Sequence, residues 1–361
     1  MKTQRKIAIV ITLLLVITFM AAAFAGCNEN DEKTDSRNPF ELWNECDSIS
    51  ALQNYVAAVT DEKSENFIPV EDRIAVFDMD GTLCGELFPE YIEYLLLEYR
   101  CLDDPAYKDI ASDELKEVAN LIRESGKEYK TPDVDHFDLV HGKAQAKAFE
   151  GLTPDEFIAY VKMFLKREAR GFEGLTYANS IYKPMIEVVA YLQNNGFSTY
   201  IVSGSDRMLC RALAGEVLNI PENQVIGMDV RLVAANQGEK DGLDYQFNAG
   251  GSDKLVRSGE LWLKNLKMNK VFNIAQEIGK QPVLSFGNSS GDVSMHEYTV
   301  TGNKYKAMAF MLIADDTERD HADMEETNKR KAKWEEKGYT IISMKNDFKT
   351  IYGEGVVKTD D

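Results

Sequence analysis

Apolar residues along this chain fall into two rhythms after an unbroken apolar block near the start. Short continuous runs, RIAVF (73–77), FSTYIVSGS (197–205), PVLSF (282–286), AMAFMLIA (307–314) and YTIISM (339–344), read as buried strands. Between them the spacing turns helical. PEYIEYLLLEYR and TPDEFIAYVKMFLKREAR are two such stretches, the second opening on Thr153 as N-cap with Glu156 three residues on. Ile181, Met185, Val188, Val189 and Leu192 share one face of another helix. Further helices are expected from about Phe40, from about Lys270 to Ile278, and near 319–337, with short strands and hairpins over 222–262.

Strands alternating with helices predict an α/β fold built on a doubly wound parallel sheet. The expected core spans 40–83 and 197–361, with 84–196 inserted after the first strand as a helical cap. Such sheets bind ligands at the carboxyl ends of their strands. Three predicted strands run into polar groups there: Asp78 and Asp80, Ser203, and Asn288 with Asp292.

The opening block changes where this body is expected to work. Lys2, Arg5 and Lys6 precede IAIVITLLLVITFMAAAFA, so residues 1–26 read as an export signal. Small residues before Cys27 in FAGC resemble a bacterial lipobox, in which Cys27 is lipidated and anchors the protein to the membrane. Cleavage at Ala23-Phe24-Ala25 or retention as an anchor are the alternatives, and all three place the body outside the cytoplasm. Residues 27–39 are polar and form a tether.

Removing three positive charges with residues 1–26 takes the formal net charge from −19 to −22, which argues against nucleic acid as a partner. It also means that a phosphate site needs local positive charge. Cys46, Cys84, Cys101 and Cys210 are compatible with disulfides or with buried thiols. The four histidines show no metal-ligand spacing.

Asp78 and Asp80 stand two apart in extended chain, so their carboxylates point the same way and repel. A hard cation such as Mg²⁺, or a proton held on one carboxyl, offsets that repulsion. Phosphoryl transfer through an acyl-phosphate uses both: one carboxylate attacks phosphorus while its neighbour moves protons.

DMDGTL, residues 78–83, resembles the first motif of the haloacid dehalogenase superfamily of phosphatases. The later signals follow in that family's order over roughly residues 70–315: Ser203 after YIV, Lys270, and GNSSGD at 287–292. The resemblance implies Asp78 as nucleophile, Asp80 as acid/base and Thr82 as support for their loop. It implies that the Ser203 hydroxyl and the Gly204 N–H hold phosphate, and that Lys270 steadies nucleophile and phosphate. Asp78, Asp80, Asn288 and Asp292 would bind Mg²⁺. One departure stands out, since the fourth motif usually begins Gly-Asp whereas Asn288 follows Gly287 here, which makes the Mg²⁺ shell one charge poorer.

A large cap implies closure over a small phosphorylated metabolite. Glu86 and Glu90 lie where related phosphoserine phosphatases carry a carboxylate that reads the substrate's ammonium group. FEGLTPDEF and PENQVIGMDV resemble exported phosphorylcholine phosphatases, which hold a quaternary ammonium against aromatic rings; Phe88, Tyr91 and Tyr94 are local candidates. The leading expectation is an extracytoplasmic, Mg²⁺-dependent phosphomonoesterase. Its alternatives are a non-catalytic phosphate-ligand-binding surface lipoprotein and a small-molecule phosphotransferase on the same fold.

Overall fold

The structure, a computed structural model, describes residues 38–85, 91–128 and 130–359. The expected export signal, Cys27, the tether up to residue 37, and Glu86, Phe88 and Glu90 lie outside the described residues. From Phe40 onward the chain makes one compact unit.

The predicted α/β architecture is present. Strands β1 (Ile74–Phe77), β3 (Ser198–Asp206), β4 (Val225–Ala234), β5 (Leu255–Leu263), β6 (Leu284–Gly287), β7 (Met308–Ile313) and β8 (Thr340–Ser343) form one sheet, ordered β5-β4-β3-β1-β6-β7-β8. Neighbours pair in parallel except β5, which closes one edge antiparallel to β4. The strands β2 (Phe172–Glu173) and β9 (Val357–Lys358) make a separate antiparallel ribbon.

All four residues of β1 are buried, which explains why its sequence is apolar without alternation. Phe77, Phe286 and Phe310 stack across β1, β6 and β7 with ring centroids 4.4 and 4.8 Å apart. That ladder holds the strand ends carrying Asp78 and Asn288 in fixed register.

Between β1 and β3 the chain is mainly helical, with helices Ile92–Glu98, Asp113–Gly126, Phe137–Ala148 and Pro154–Phe164. The capping box read from Thr153 and Glu156 is formed, each side chain satisfying the other's backbone N–H. The helix Lys183–Asn194 buries Met185, Val188, Val189 and Leu192 and turns at Gly196 into β3. Arg257 of β5 ties the insert to the sheet: it is 1% exposed, its guanidinium lies 4.0 Å from the Phe157 ring, and it donates to Asp206 Oδ2 at 2.7 Å.

The first helix differs from its expected start near Phe40, since it begins at Asp47. Tertiary pairing prevails over local periodicity here. Trp43 bridges Phe348, its indole N–H donates to the Pro184 carbonyl at 3.0 Å, and Asn44 N–H donates to Asp347 O at 2.8 Å. These bonds hold residues 40–46 as an irregular strap over the core.

One buried carboxyl makes stability depend on pH. Asp320 accepts from Tyr352 Oη at 2.9 Å and from His321 N–H at 2.8 Å, yet burial pushes its pKa up to about 7. A folded-state pKa above the unfolded one means that the native state holds the extra proton, so stability falls as pH rises from about 4 to about 7. Thermal melts across that range should show the decline, and Asp320→Asn should flatten it.

Candidate active site

The loop after β1 is built from its own backbone. Asp78 N–H donates to Phe286 O at 2.9 Å as the last rung of the β1–β6 ladder, and the N–H groups of Thr82, Leu83 and Cys84 all point at Met79 O. Gly81 sits at φ +80°, a conformation that costs a side chain energy, so glycine belongs there. The tight turn leaves Asp78 and Asp80 both 6% exposed at the sheet edge.

Lys270, 1% exposed, reaches these carboxylates from the helix Met268–Asn273. Its ammonium bridges Asp78 Oδ1 and Asp292 Oδ1, the latter at 2.7 Å. Burial pushes the Asp78 carboxyl well above the usual carboxylate range, with Asp292 and Asp80 adding to that push and Lys270 opposing it. Burial alone would lower the Lys270 pKa, but Asp292 and Asp78 raise it above its ordinary value. Asp292 is held below the usual range against burial, chiefly by Lys270 and His296 and by the Ser289 N–H.

The acidic loop closes on itself through Asp292. Its Oδ2 accepts from Asn288 N–H at 3.1 Å, Ser289 N–H at 3.0 Å and Ser289 Oγ at 3.3 Å. Gly287 permits the fold of this loop, because a Cβ there would lie 2.6 Å from Asp292 Cβ. His296 stands behind the loop between Ser285 and Met311, its pKa pushed down to about 4 by burial, as a structural histidine.

Ser203 and Gly204 occupy the end of β3. The Ser203 hydroxyl is fully buried and donates to Asp80 Oδ2 at 3.3 Å, while Gly204 lines the cavity above the aspartates. Thr82 Oγ1 lies 3.5 Å from both Asp78 Oδ2 and Asn288 Oδ1. The described candidates Asp78, Asp80, Thr82, Ser203, Gly204, Lys270, Asn288 and Asp292 thus meet at the carboxyl ends of β1, β3 and β6.

Of these, Asp78, Asp80, Gly204 and Asp292 line a cavity of about 100 Å³. Glu93, Asp138, Ser205, Lys264 and Leu266 also line it, and none was singled out from the sequence. Glu93 is 2% exposed, accepts from Lys264 Nζ at 2.7 Å and from Asp206 N–H at 3.0 Å, and so joins the helical insert to the sheet. His141 lies 3.5 Å from Glu93 Oε1, its pKa driven well down by burial and then by Lys264. A glutamate inside the otherwise apolar run Ile92, Tyr94–Leu97 was the available signal.

Tyr91 and Tyr94 also line this cavity, with ring centroids 5.0 Å apart. Tyr91 takes φ +56°, a conformation that costs a non-glycine residue about 1–3 kcal/mol and is concentrated at functional sites. It also borders a larger cavity of about 560 Å³ that reaches Asn288 and the loop after β7.

The donor set suits a hard divalent cation. Asp78, Asp80, Asn288 and Asp292 can ligate through oxygen, and Lys270 pairs with two of the three buried carboxylates while Lys264 pairs with Glu93, leaving negative charge for a cation to offset. Asp292 spends both oxygens on Lys270 and its own loop, and Asp80 Oδ2 accepts from Ser203 and Ser205, so a cation here would rely mainly on Asp78 and Asn288.

Residues 73–242 match the haloacid dehalogenase-like hydrolase family. Solved structures of similar fold include a conserved functionally unknown protein from Anaerococcus prevotii DSM 20548, at 16% identity and TM-score 0.50 over 85% of this chain and 94% of that one. A protein with unknown function from Bordetella pertussis Tohama I is 14% identical at TM-score 0.46, covering 75% and 97%. A phosphoserine phosphohydrolase-like protein from Francisella tularensis subsp. tularensis SCHU S4 is 18% identical at TM-score 0.36, covering 67% and 87%. At 16% identity the first of these speaks to the fold alone. No curated protein matches the sequence.

Proposed function

We propose that this chain, a haloacid dehalogenase-like hydrolase over residues 73–242, is a Mg²⁺-dependent phosphomonoesterase for small metabolites that works outside the cytoplasm. The observation that carries the reading is Lys270 bridging Asp78 and Asp292 from beneath, while Asp78, Asp80 and Asp292 line one small cavity at the strand ends. The apolar leader supports export, and FAGC supports an anchor at Cys27.

Asp78 attacks phosphorus and forms an aspartyl-phosphate while Asp80 gives its proton to the departing alcohol oxygen. Asp80 then takes a proton from water, which attacks the aspartyl-phosphate and returns Asp78 with free phosphate. Lys270 opposes the push of burial and neighbouring carboxylates and so favours the ionised Asp78 that the first step needs. Asp78 and Asn288, with Asp80 and Asp292 beside them, would hold Mg²⁺, which would supply charge neutralisation between nucleophile and phosphate.

A cavity of about 100 Å³ suits a small leaving group, and its Tyr91, Tyr94 and Asp138 walls favour one that carries an ammonium. The test is phosphate release by residues 28–361 from phosphocholine, phosphoserine, phosphoethanolamine and 4-nitrophenyl phosphate, with Mg²⁺ and with chelator. Turnover that needs Mg²⁺ supports the reading; silence across the whole panel, aryl ester included, overturns it. Tyr91→Leu should raise KM for amine-bearing esters about 2–30-fold, the range of a cation–π contact, and leave the aryl ester unchanged.

The alternative of a non-catalytic binder rests on Asn288 and the engaged oxygens of Asp292. It predicts an inert protein that Asn288→Asp awakens.

A further inference from the structure

We infer that Ser205 is a positioning residue that orients Asp80 for proton transfer to the leaving oxygen, an inference that rests on the phosphatase reading. Ser205 is 2% exposed, lines the catalytic cavity, and donates its hydroxyl to Asp80 Oδ2 at 2.7 Å. Ser203 donates to the same oxygen at 3.3 Å. An oxygen that accepts from two hydroxyls is held as an acceptor, so the proton that Asp80 transfers is carried by Oδ1.

The end of β3 is shaped for this double contact. Residues two apart on a strand face the same way, which aims Ser203 and Ser205 together at Asp80. A register shift between Val202 and Asp206 bends the strand end at that point. Between the serines a side chain would clash, since a Cβ on Gly204 would stand 2.5 Å from Leu266 Cδ2. The serines are themselves tied down: Ser205 N–H donates to Ser203 Oγ at 3.0 Å, and Asn265 Nδ2 to Ser203 O at 2.9 Å. Asn273 in turn donates to Asn265 Oδ1 at 3.0 Å, so the whole network is braced from below.

In the first step the Asp78 oxygen–phosphorus bond forms and the phosphorus–ester oxygen bond breaks, its electron pair passing to the ester oxygen. The Asp80 proton goes to that same oxygen. An alkyl alkoxide is a poor leaving group and needs the proton, whereas 4-nitrophenolate leaves without it. Misplacing Asp80 therefore penalises alkyl esters selectively.

The experiment compares kcat/KM, which reports this first step, for 4-nitrophenyl phosphate and for the fastest alkyl ester of the panel. General acid catalysis contributes about 10²–10⁴-fold. Ser205→Ala should lose about 10–100-fold on the alkyl ester, a part of that range, and about threefold or less on the aryl ester. Ser205→Thr, which keeps the hydroxyl, should recover most of the alkyl rate. Ser205→Cys, close in volume and a weak donor, serves as the second variant should Ser205→Ala fail to fold by circular dichroism, and should show the same selective loss. Equal losses on both esters, or none, would overturn the inference alone. Wild-type protein silent on both esters would overturn the phosphatase reading and this inference together.

Discussion

Asp78→Asn is expected to lower phosphate release at least about 10⁴-fold, because removing the nucleophile of a covalent mechanism leaves only binding and electrostatic contributions to catalysis. The fold should survive the change, and the reason lies in the local charges. Asp78 is buried beside Asp292 and Asp80, all of which push its carboxyl toward the neutral form. An amide of the same shape removes that repulsion while leaving Lys270 its bond to Asp292 at 2.7 Å. Metal-free Asp78→Asn should therefore melt no lower than metal-free wild type. Steady-state phosphate release and thermal melting check the two halves independently, and turnover near the wild-type rate would remove Asp78 from its role.

Lys270→Met should damage both activity and stability. Lys270 is the ammonium between two buried carboxylates, and removing one partner from a buried pair costs about 3–5 kcal/mol because the remaining charge is left unsatisfied. At about 1.5 °C per kcal/mol for a unit of this length, from about 2.1 cal/mol/K of unfolding entropy per residue, the melting temperature should drop by roughly 4–8 °C. Loss of a preorganised cation at the site should cost at least about 10²–10³ in rate. The double variant Lys270→Met, Asp292→Asn should recover part of the stability and none of the rate, since it removes an orphaned charge without replacing the cation. A double variant no more stable than the single one would show that Asp292 does not supply the destabilising charge.

Much of the site was legible along the chain. Asp78, Ser203 and Asn288 each follow an apolar run, and a parallel sheet delivers the ends of such runs to one edge whatever the loops between them do. Lys270 was legible by its order and by the helix start near it, which the structure places at Met268–Asn273.

The wall that includes Glu93, Lys264 and Ser205 was not legible, because its members come from distant segments. Glu93 and Lys264 are 171 positions apart and form an ion pair only once β5 folds back against β4 beside the helical insert. Ser205 looked like one more polar residue after a strand, and its bond to Asp80 spans 125 positions. The strap at 40–46 shows the same division, since its local pattern suggested helix and its bonds to residues near 347 decided otherwise. The sequence by itself determined the sheet, the order of the strand-end groups and the paired aspartates, because burial periodicity and turn chemistry act between near neighbours in the chain. Only the tertiary structure decided which side chains enclose the cavity and which hydroxyls orient Asp80, because those contacts depend on packing between segments that no local pattern encodes.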